Sequence, residues 1–301
     1  MQQHRPVLAL SLRLGSALVF SVMFLLVKLV AERGVHVGEI VFWRQALTAP
    51  MLLLWLAPQA GGFARLSTDR LGAHALRATV GMSNMAILFT ATALLPLAET
   101  TTLGFSTALF AVLIAAVVLR EPVGPWRWGA VILGFAGVLV IAQPGGHHID
   151  PLGATLGLVS PLVVAIINYQ IRDLASTEGS ISIVFWFGVF GSLIGAVALP
   201  FFYTTHDAYE WWLLLAIGLS GVLGQLLLTG SLRHAPVSAV VVMDYSGLVW
   251  SALLGWLAWS TVPPLSTWLG APLIIGAGLV IVWRERVLAK APSPVSPADT
   301  E

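Results

Sequence analysis

The chain alternates between long apolar stretches and short polar connections. Apolar runs lie near residues 14–30, 40–57, 78–95, 100–119 and 126–143, and again near 153–171, 181–203, 211–230, 236–259 and 265–283. Each is about the 17–25 residues that an α-helix needs to cross a bilayer. The runs are continuous and lack the apolar–polar alternation of a barrel strand, so the pattern predicts an all-α polytopic membrane protein with ten transmembrane helices. The longest connection, residues 58–77, holds Pro58, Gly61, Gly62, Asp69 and Arg70. Residues 1–13 read as a cytoplasmic N-terminal segment. The Pro- and Ser-rich residues 286–301 read as a disordered cytoplasmic tail. The first run continues through Lys28 into Ala31-Glu32-Arg33 without a small-residue cleavage site, so it reads as a span and not as a leader.

Charge placement orients the spans. With the N-terminus inside, cytoplasmic segments hold twelve of the fifteen Lys and Arg residues: Arg5, Arg13, Arg65, Arg70, Arg77, Arg120, Arg127, Arg172, Arg233, Arg284, Arg286 and Lys290. Outer loops hold Arg33 alone, while Lys28 and Arg44 lie within spans. This asymmetry predicts that both termini are cytoplasmic. Composition agrees: 57% of residues are hydrophobic and 10% charged, against about 25% charged in a soluble domain. The excess apolar surface must face lipid, which excludes a cytosolic enzyme. A net charge of +1 gives no nucleic-acid signature. The absence of cysteine removes disulfides, thiolate metal sites and thiol chemistry.

The two halves share a pattern. At an offset of 141 residues Pro122 meets Pro263, Gly129 meets Gly270, Ala130 meets Ala271 and Gly137 meets Gly278. At an offset of 140, Gly81 meets Gly221, Pro96 meets Pro236, and Phe105-Ser106 meets Tyr245-Ser246. Spans 3, 4 and 5 therefore align with spans 8, 9 and 10. Five spans per copy is an odd number, so residues 14–143 and 153–285 are expected to form two five-helix repeats of inverted polarity. That architecture is typical of secondary transporters.

Several motifs resemble the EamA branch of the drug/metabolite transporter superfamily. They are FWRQALTAP around Arg44, LREPV with Glu121 followed by GAVILGFAGVLVI, and LRHAPVSAVVVMDYSGLVWSALLGW over residues 232–256. One departure stands out: Val262 occupies the place where the family often repeats the acid of the Glu-Pro turn. The first half also resembles bacterial permeases for S-adenosylmethionine and, more loosely, riboflavin. The resemblance implies ten helices around a cavity lined by spans 1, 3, 4, 6, 8 and 9, in a bacterial inner membrane. It implies alternating-access movement of a small organic metabolite or drug-like solute without a cofactor or metal, and it leaves a homodimer open.

Polar groups inside spans are the candidate machinery, since a charge in the bilayer core costs a few kcal/mol and tends to face a cavity or a partner. Asp244 reads either as a substrate-amine or proton site, or as an acid paired with a neighbouring base. Arg44 reads as a clamp for a carboxylate or phosphate, or as a structural lock to carbonyls, Glu39 or Glu99. Lys28 is expected to snorkel to headgroups, and Glu121 to cap span 5 and pair with a basic neighbour. Thr102 and Ser106 share a polar stripe with Glu99 on span 4. With Phe105 and its repeat mate Tyr245 they are expected to line the cavity. Asn84 and Gln225 are amides within spans that must face protein or water. Asn168 and Tyr169 close span 6 and read either as a gate at the inner mouth or as markers of the membrane interface, and Trp250 reads either as a stacking surface for a planar solute or as a packing residue.

Two rival readings remain. A channel-like uniporter would use the same cavity as a continuous path. The tetrapeptide GLSG at 218–221 resembles the serine motif of intramembrane rhomboid proteases, in which case Ser220 would need His234 as its base. His147, His148 and Asp150 read as a solvated loop, because adjacent histidines share one ion poorly.

Overall fold

The computed structural model describes residues 6–59, 61–143, 149–234 and 240–290. Among them every regular element is helical. The order is α1 (Pro6–Glu32), α2 (Val37–Ala46), α3 (Thr48–Leu56), α4 (Leu71–Leu94), α5 (Leu97–Gly104), α6 (Thr107–Val117), α7 (Pro125–Ala142) and α8 (Pro151–Ala175). Then follow α9 (Ser180–Ala198), α10 (Ala208–His234), α11 (Ser246–Trp259) and α12 (Leu265–Lys290). Short 3-10 turns occupy Phe63–Leu66, Leu199–Phe201 and Val241–Tyr245.

Bilayer-length helices are the expected outcome for such runs, because a helix satisfies its own backbone where no water can. Among the described residues, seven helical stretches are long and apolar enough to cross a membrane: Val7–Glu32, Leu97–Val117, Pro125–Ala142, Pro151–Ala175, Ser180–Phe201, Ala208–Ser231 and Leu265–Arg284. Their ends carry local signals. His36 accepts from Gly38 N–H with Nδ1 at 3.1 Å to start α2. Asp150 caps α8 by accepting from Gly153 N–H at 2.6 Å, and Pro125 and Pro151 open α7 and α8 at positions that need no N–H. Asp150 is thus a helix cap, while His147 and His148 lie outside the described residues.

Several boundaries differ from those read in the sequence. The first helix starts at Pro6, so most of the expected N-terminal segment is helix and Arg13 is buried at 8% exposure. The last helix runs to Lys290, so residues 286–290 are helical, and 291–301 lie outside the described residues. Polar residues at an apolar helix's end need no break in the helix, since they sit where the bilayer gives way to water. Spans 2 and 4 are each two helices, breaking at Leu47 and at Phe105-Ser106. Pro161 does not break α8, which continues to Ala175.

Small residues set the close packing. A Cβ on Gly137 would sit 2.7 Å from the Gly270 carbonyl, and one on Gly270 would sit 2.6 Å from the Gly137 carbonyl, so α7 and α12 cross backbone to backbone. On α10, Gly224 lies against Phe20 of α1, and Ser16 donates to the Gly224 carbonyl at 3.0 Å. Large apolar side chains such as Leu54, Val117, Ile132, Val197 and Phe201 face outward, each at least 69% exposed. A soluble protein does not present such a belt; this is a multi-pass integral membrane protein.

Candidate functional site

The two broken segments meet. The α5–α6 junction falls at Phe105-Ser106, and the junction of the Val241–Tyr245 turn with α11 falls at Tyr245-Ser246. These are the positions paired by the 140-residue repeat. Phe105 and Tyr245 contact edge to face, with ring centroids 5.0 Å apart and planes at 79°, a favourable arrangement for two quadrupoles. Ser106 Oγ donates to the Leu103 carbonyl and Ser246 Oγ to the Met243 carbonyl, both at 2.6 Å. Each hydroxyl serves its own loosened turn.

Thr102, on the turn before, spends its hydroxyl in the same way. Thr102 Oγ1 donates to the Ala98 carbonyl at 2.7 Å, and Thr102 and Ser106 are fully buried. A hydroxyl in an apolar helix is most cheaply satisfied by the carbonyl three or four residues back. The hydroxyls that do converge lie one residue or one span away. Thr101 Oγ1 is 2.8 Å from Ser251 Oγ, which donates to Ser21 Oγ at 3.4 Å. Ser21 also reaches the Ala17 and Gly247 carbonyls at 2.9 and 3.4 Å. This seam joins α1, α5 and α11. Ser21 and Thr101 escape a sequence reading because a lone hydroxyl in a leucine-rich span is ordinary.

Charged groups close the seam at both ends. Asp244 accepts from Arg13 Nε on Oδ1 and from Arg13 Nη2 on Oδ2, both at 2.5 Å, in the bidentate geometry that suits guanidinium and carboxylate. The acid is therefore held by a base from α1. At the opposite end Lys28 does not snorkel. Its Nζ donates to the Ala93 and Leu95 carbonyls at 3.1 and 2.8 Å and lies 5.7 Å from the Trp259 ring, while Trp259 donates to Glu32 at 2.9 Å. Free carbonyls at the end of α4 are a closer partner than a headgroup. Glu99 is buried beside this end, with Thr267 donating to Oε1 at 3.4 Å.

The remaining predicted residues are scattered. Arg44 contacts neither Glu39 nor Glu99: its Nη1 donates to Gln45 Oε1, and Glu39 is engaged by His206 at 2.6 Å and Trp43 at 3.2 Å. Asn84 is buried at 7% exposure, and its Oδ1 has no partner among the described residues. Gln225 lines a separate cavity of about 220 Å³ between α3, α9 and α10. Tyr169 and Glu121 line another of about 250 Å³ with Arg127 and Arg172, and Asn168 is exposed. Glu121 does not cap α7, whose N-cap is Gly124 without a side-chain bond. Trp250 is half-buried with its Nε1 turned inward.

Beyond the spans, Arg33 bridges Asp207 at 2.6 Å and Glu210 at 3.1 Å. The Glu210 backbone N–H, and then Arg33, hold the Asp207 carboxyl below its usual range, and the Glu210 carboxylate raises Arg33. Ser220 donates to the Ile217 carbonyl at 3.0 Å. His234 lies 14 residues further along the same helix, about 21 Å at 1.5 Å per residue, so the two form no nucleophile–base couple.

A bundle of apolar helices, two of them interrupted at matching points beside a polar seam, defines a membrane-embedded transporter. The chain belongs to the EamA-like transporter family, whose profile matches residues 7–143 and again 151–283. It is 33% identical over 270 residues to the pseudopaline exporter of Pseudomonas aeruginosa, covering 88% of this chain and 93% of that protein. It is 27% identical over 253 residues to the S-adenosylmethionine uptake transporter of Rickettsia bellii, covering 83% and 85%. It is 28% identical over 212 residues to the riboflavin transporter of Vibrio cholerae, covering 70% and 71%. A solved crystal structure superposes with a TM-score of 0.59 at 19% identity, covering 91% of this chain and 99% of that one, which shows a common fold. Family and relatives make the chain a transporter and not an enzyme.

Proposed function

We propose that the chain moves a small organic metabolite by alternating access. Its ten membrane passes form two inverted five-helix repeats, residues 14–143 and 153–285, with both termini cytoplasmic. The observation that carries this reading is the contact of Phe105 with Tyr245 across the matching breaks. Residues that correspond between two repeats and also touch lie at the local axis relating them. Interrupted helices at that axis are where inverted-repeat transporters bind their solutes. The double match of the family profile, one to each half, supports the same division.

In this reading the solute sits against Phe105, Tyr245 and Trp250, beside the Ser21–Thr101–Ser251 seam. The Arg13–Asp244 pair closes one end and the Lys28–Trp259–Glu32 group closes the other. The named relatives export pseudopaline and take up S-adenosylmethionine, so polar metabolites of that size are the substrates to try first. The test is counterflow in liposomes, with S-adenosylmethionine and riboflavin as first labelled solutes. A carrier shows saturable uptake that unlabelled solute on the far side accelerates. Uptake that is linear in concentration and indifferent to the far side would favour the channel reading.

A further inference from the structure

Two arginines lie within the helical bundle without a carboxylate partner among the described residues, and one of them, Arg77, is an arginine that the charge pattern assigns to a cytoplasmic segment. Arg44 on α2 is 5% exposed, and its Nε has no hydrogen-bond partner among the described residues. Arg77 on α4 has its Nε and Nη1 buried and likewise without partners. Arg77 stacks on the Phe187 ring, with Cζ 4.2 Å from the centroid, and the Phe187 carbonyl accepts from Gln45 Nε2 at 3.1 Å. Gln45 in turn accepts from Arg44. Phe187 and Gln45 thus link the two arginines in one cluster spanning α2, α4 and α9. Gly221 of α10 completes the wall: a Cβ there would be 3.0 Å from Arg44 Nε.

The nearby acids are committed elsewhere. Glu39 holds His206, Trp43 and the Thr204 N–H. Glu178 holds Thr68, Ser182 and, at 3.8 Å, His74, and Glu99 holds Thr267. Two like charges among apolar helices, with three N–H-bearing nitrogens unused, carry a large cost if nothing answers them. A structural lock would pair each arginine with an acid or with carbonyls. A site for an exchangeable anion leaves the donors free. The apolar cavity of about 220 Å³ is lined by Thr48, four residues past Arg44, and by Val222, next to Gly221, and neither arginine is among its lining residues.

We propose that Arg44 and Arg77 form an anion site within the bundle that takes a carboxylate, apart from the solute position proposed above at Phe105, Tyr245 and Trp250. A carboxylate suits the site better than a phosphate. Its two oxygens match the three remaining donors, and a monoanion sheds its water far more cheaply than a dianion.

The test uses acetate, with acetamide as its neutral isostere and inorganic phosphate as the competing anion. Melting temperature is followed in detergent at constant ionic strength. Acetate is expected to raise it saturably, by mass action on the folded state, while acetamide and phosphate do not. Arg44→Gln and Arg77→Gln should each weaken the apparent affinity about tenfold or more, the loss of one charge-assisted bond. Arg77→Lys should weaken it too, and Gly276→Ala on α12, where a Cβ meets nothing within 4 Å, should leave it unchanged. No acetate effect in the wild-type chain, an equal effect of acetamide, a preference for phosphate, or an undiminished effect in both Gln variants would overturn the proposal. The wild-type titration stands even where a variant fails to fold. Counterflow that persists without an acetate effect would sink this site and spare the transport reading, and an acetate effect without counterflow would do the reverse.

Discussion

At the scale of single residues, the Arg13–Asp244 pair is the most exposed to test. Its two bonds cross from α1 to the turn before α11, and the side chains are 10% and 36% exposed. Asp244→Asn should lower stability by about 1–2 kcal/mol, less than a fully buried pair because a third of the acid meets solvent. The companion Arg13→Gln should restore part of that loss in the double variant, since no uncompensated charge then remains. Additive losses in a thermal-melt cycle would contradict the pairing. Asp207 supplies a pH signature outside the bilayer. Its folded-state carboxyl ionises below the ordinary value of 3.8, so its contribution is present above that pH and is lost as pH falls through the depressed value. Replacing it with Asn should flatten the fall of melting temperature below roughly pH 4, the acid limb of a depressed carboxylate; an unchanged limb would show that the Arg33 cluster contributes nothing there. Asp244 was visible in the sequence because an acid in an apolar span stands out. Arg13 was not, because an arginine just before an apolar run reads as a cytoplasmic flank until the helix is seen to begin at Pro6. The carbonyl bonds of Thr102 and Ser106 were hidden for a related reason: helical spacing gives the face a hydroxyl lies on, while its hydrogen-bond partner depends on the backbone.

At the scale of elements, the informative features are the interruptions. The 140-residue repeat pairs Phe105-Ser106 with Tyr245-Ser246, and both pairs fall at helix breaks. Neither break could be read from the apolar pattern, which runs without pause through both; no proline or glycine stands at 105–106 or 245–246 to announce them. The glycine crossing of α7 and α12 is the opposite case. Gly137, Gly270 and Gly278 were legible as positions shared by the two repeats, although their packing partners were not. A Cβ on Gly270 would meet backbone oxygen on one side and Ile141 on the other. Gly270→Ala should therefore destabilise by about 1–3 kcal/mol, as overpacking does. Gly276→Ala on the same helix, where a Cβ meets nothing within 4 Å, should be neutral or slightly stabilising. Equal melting temperatures for the two variants would remove the tight crossing from the account.

At the scale of the whole molecule, the apolar runs were enough to give an all-helical membrane protein, and the family motifs were enough to give its kind. What the sequence withheld is which helices meet. Charges that look alike as isolated residues within spans divide into three situations: Asp244 clamped to Arg13, Lys28 spent on carbonyls, and Arg44 clustered with Arg77. Pairing across tens of residues, and across 231 for Arg13 and Asp244, depends on the packing of the bundle, and local pattern does not contain it. The proposed cycle requires the two ends of the molecule to open in turn. The absence of cysteine allows nitroxide labels at introduced cysteines without a background. One pair at exposed Leu8 and Leu119 would report the end bearing Arg13–Asp244, and another at exposed Leu94 and Val262 the end bearing Lys28. The decisive measurement is the distance distribution of each pair in the parent chain and after Asp244→Asn. Alternating access predicts that releasing the clamp widens the Leu8–Leu119 distance while the Leu94–Val262 distance narrows. Distances that stay fixed, or that widen together at both ends, would contradict it.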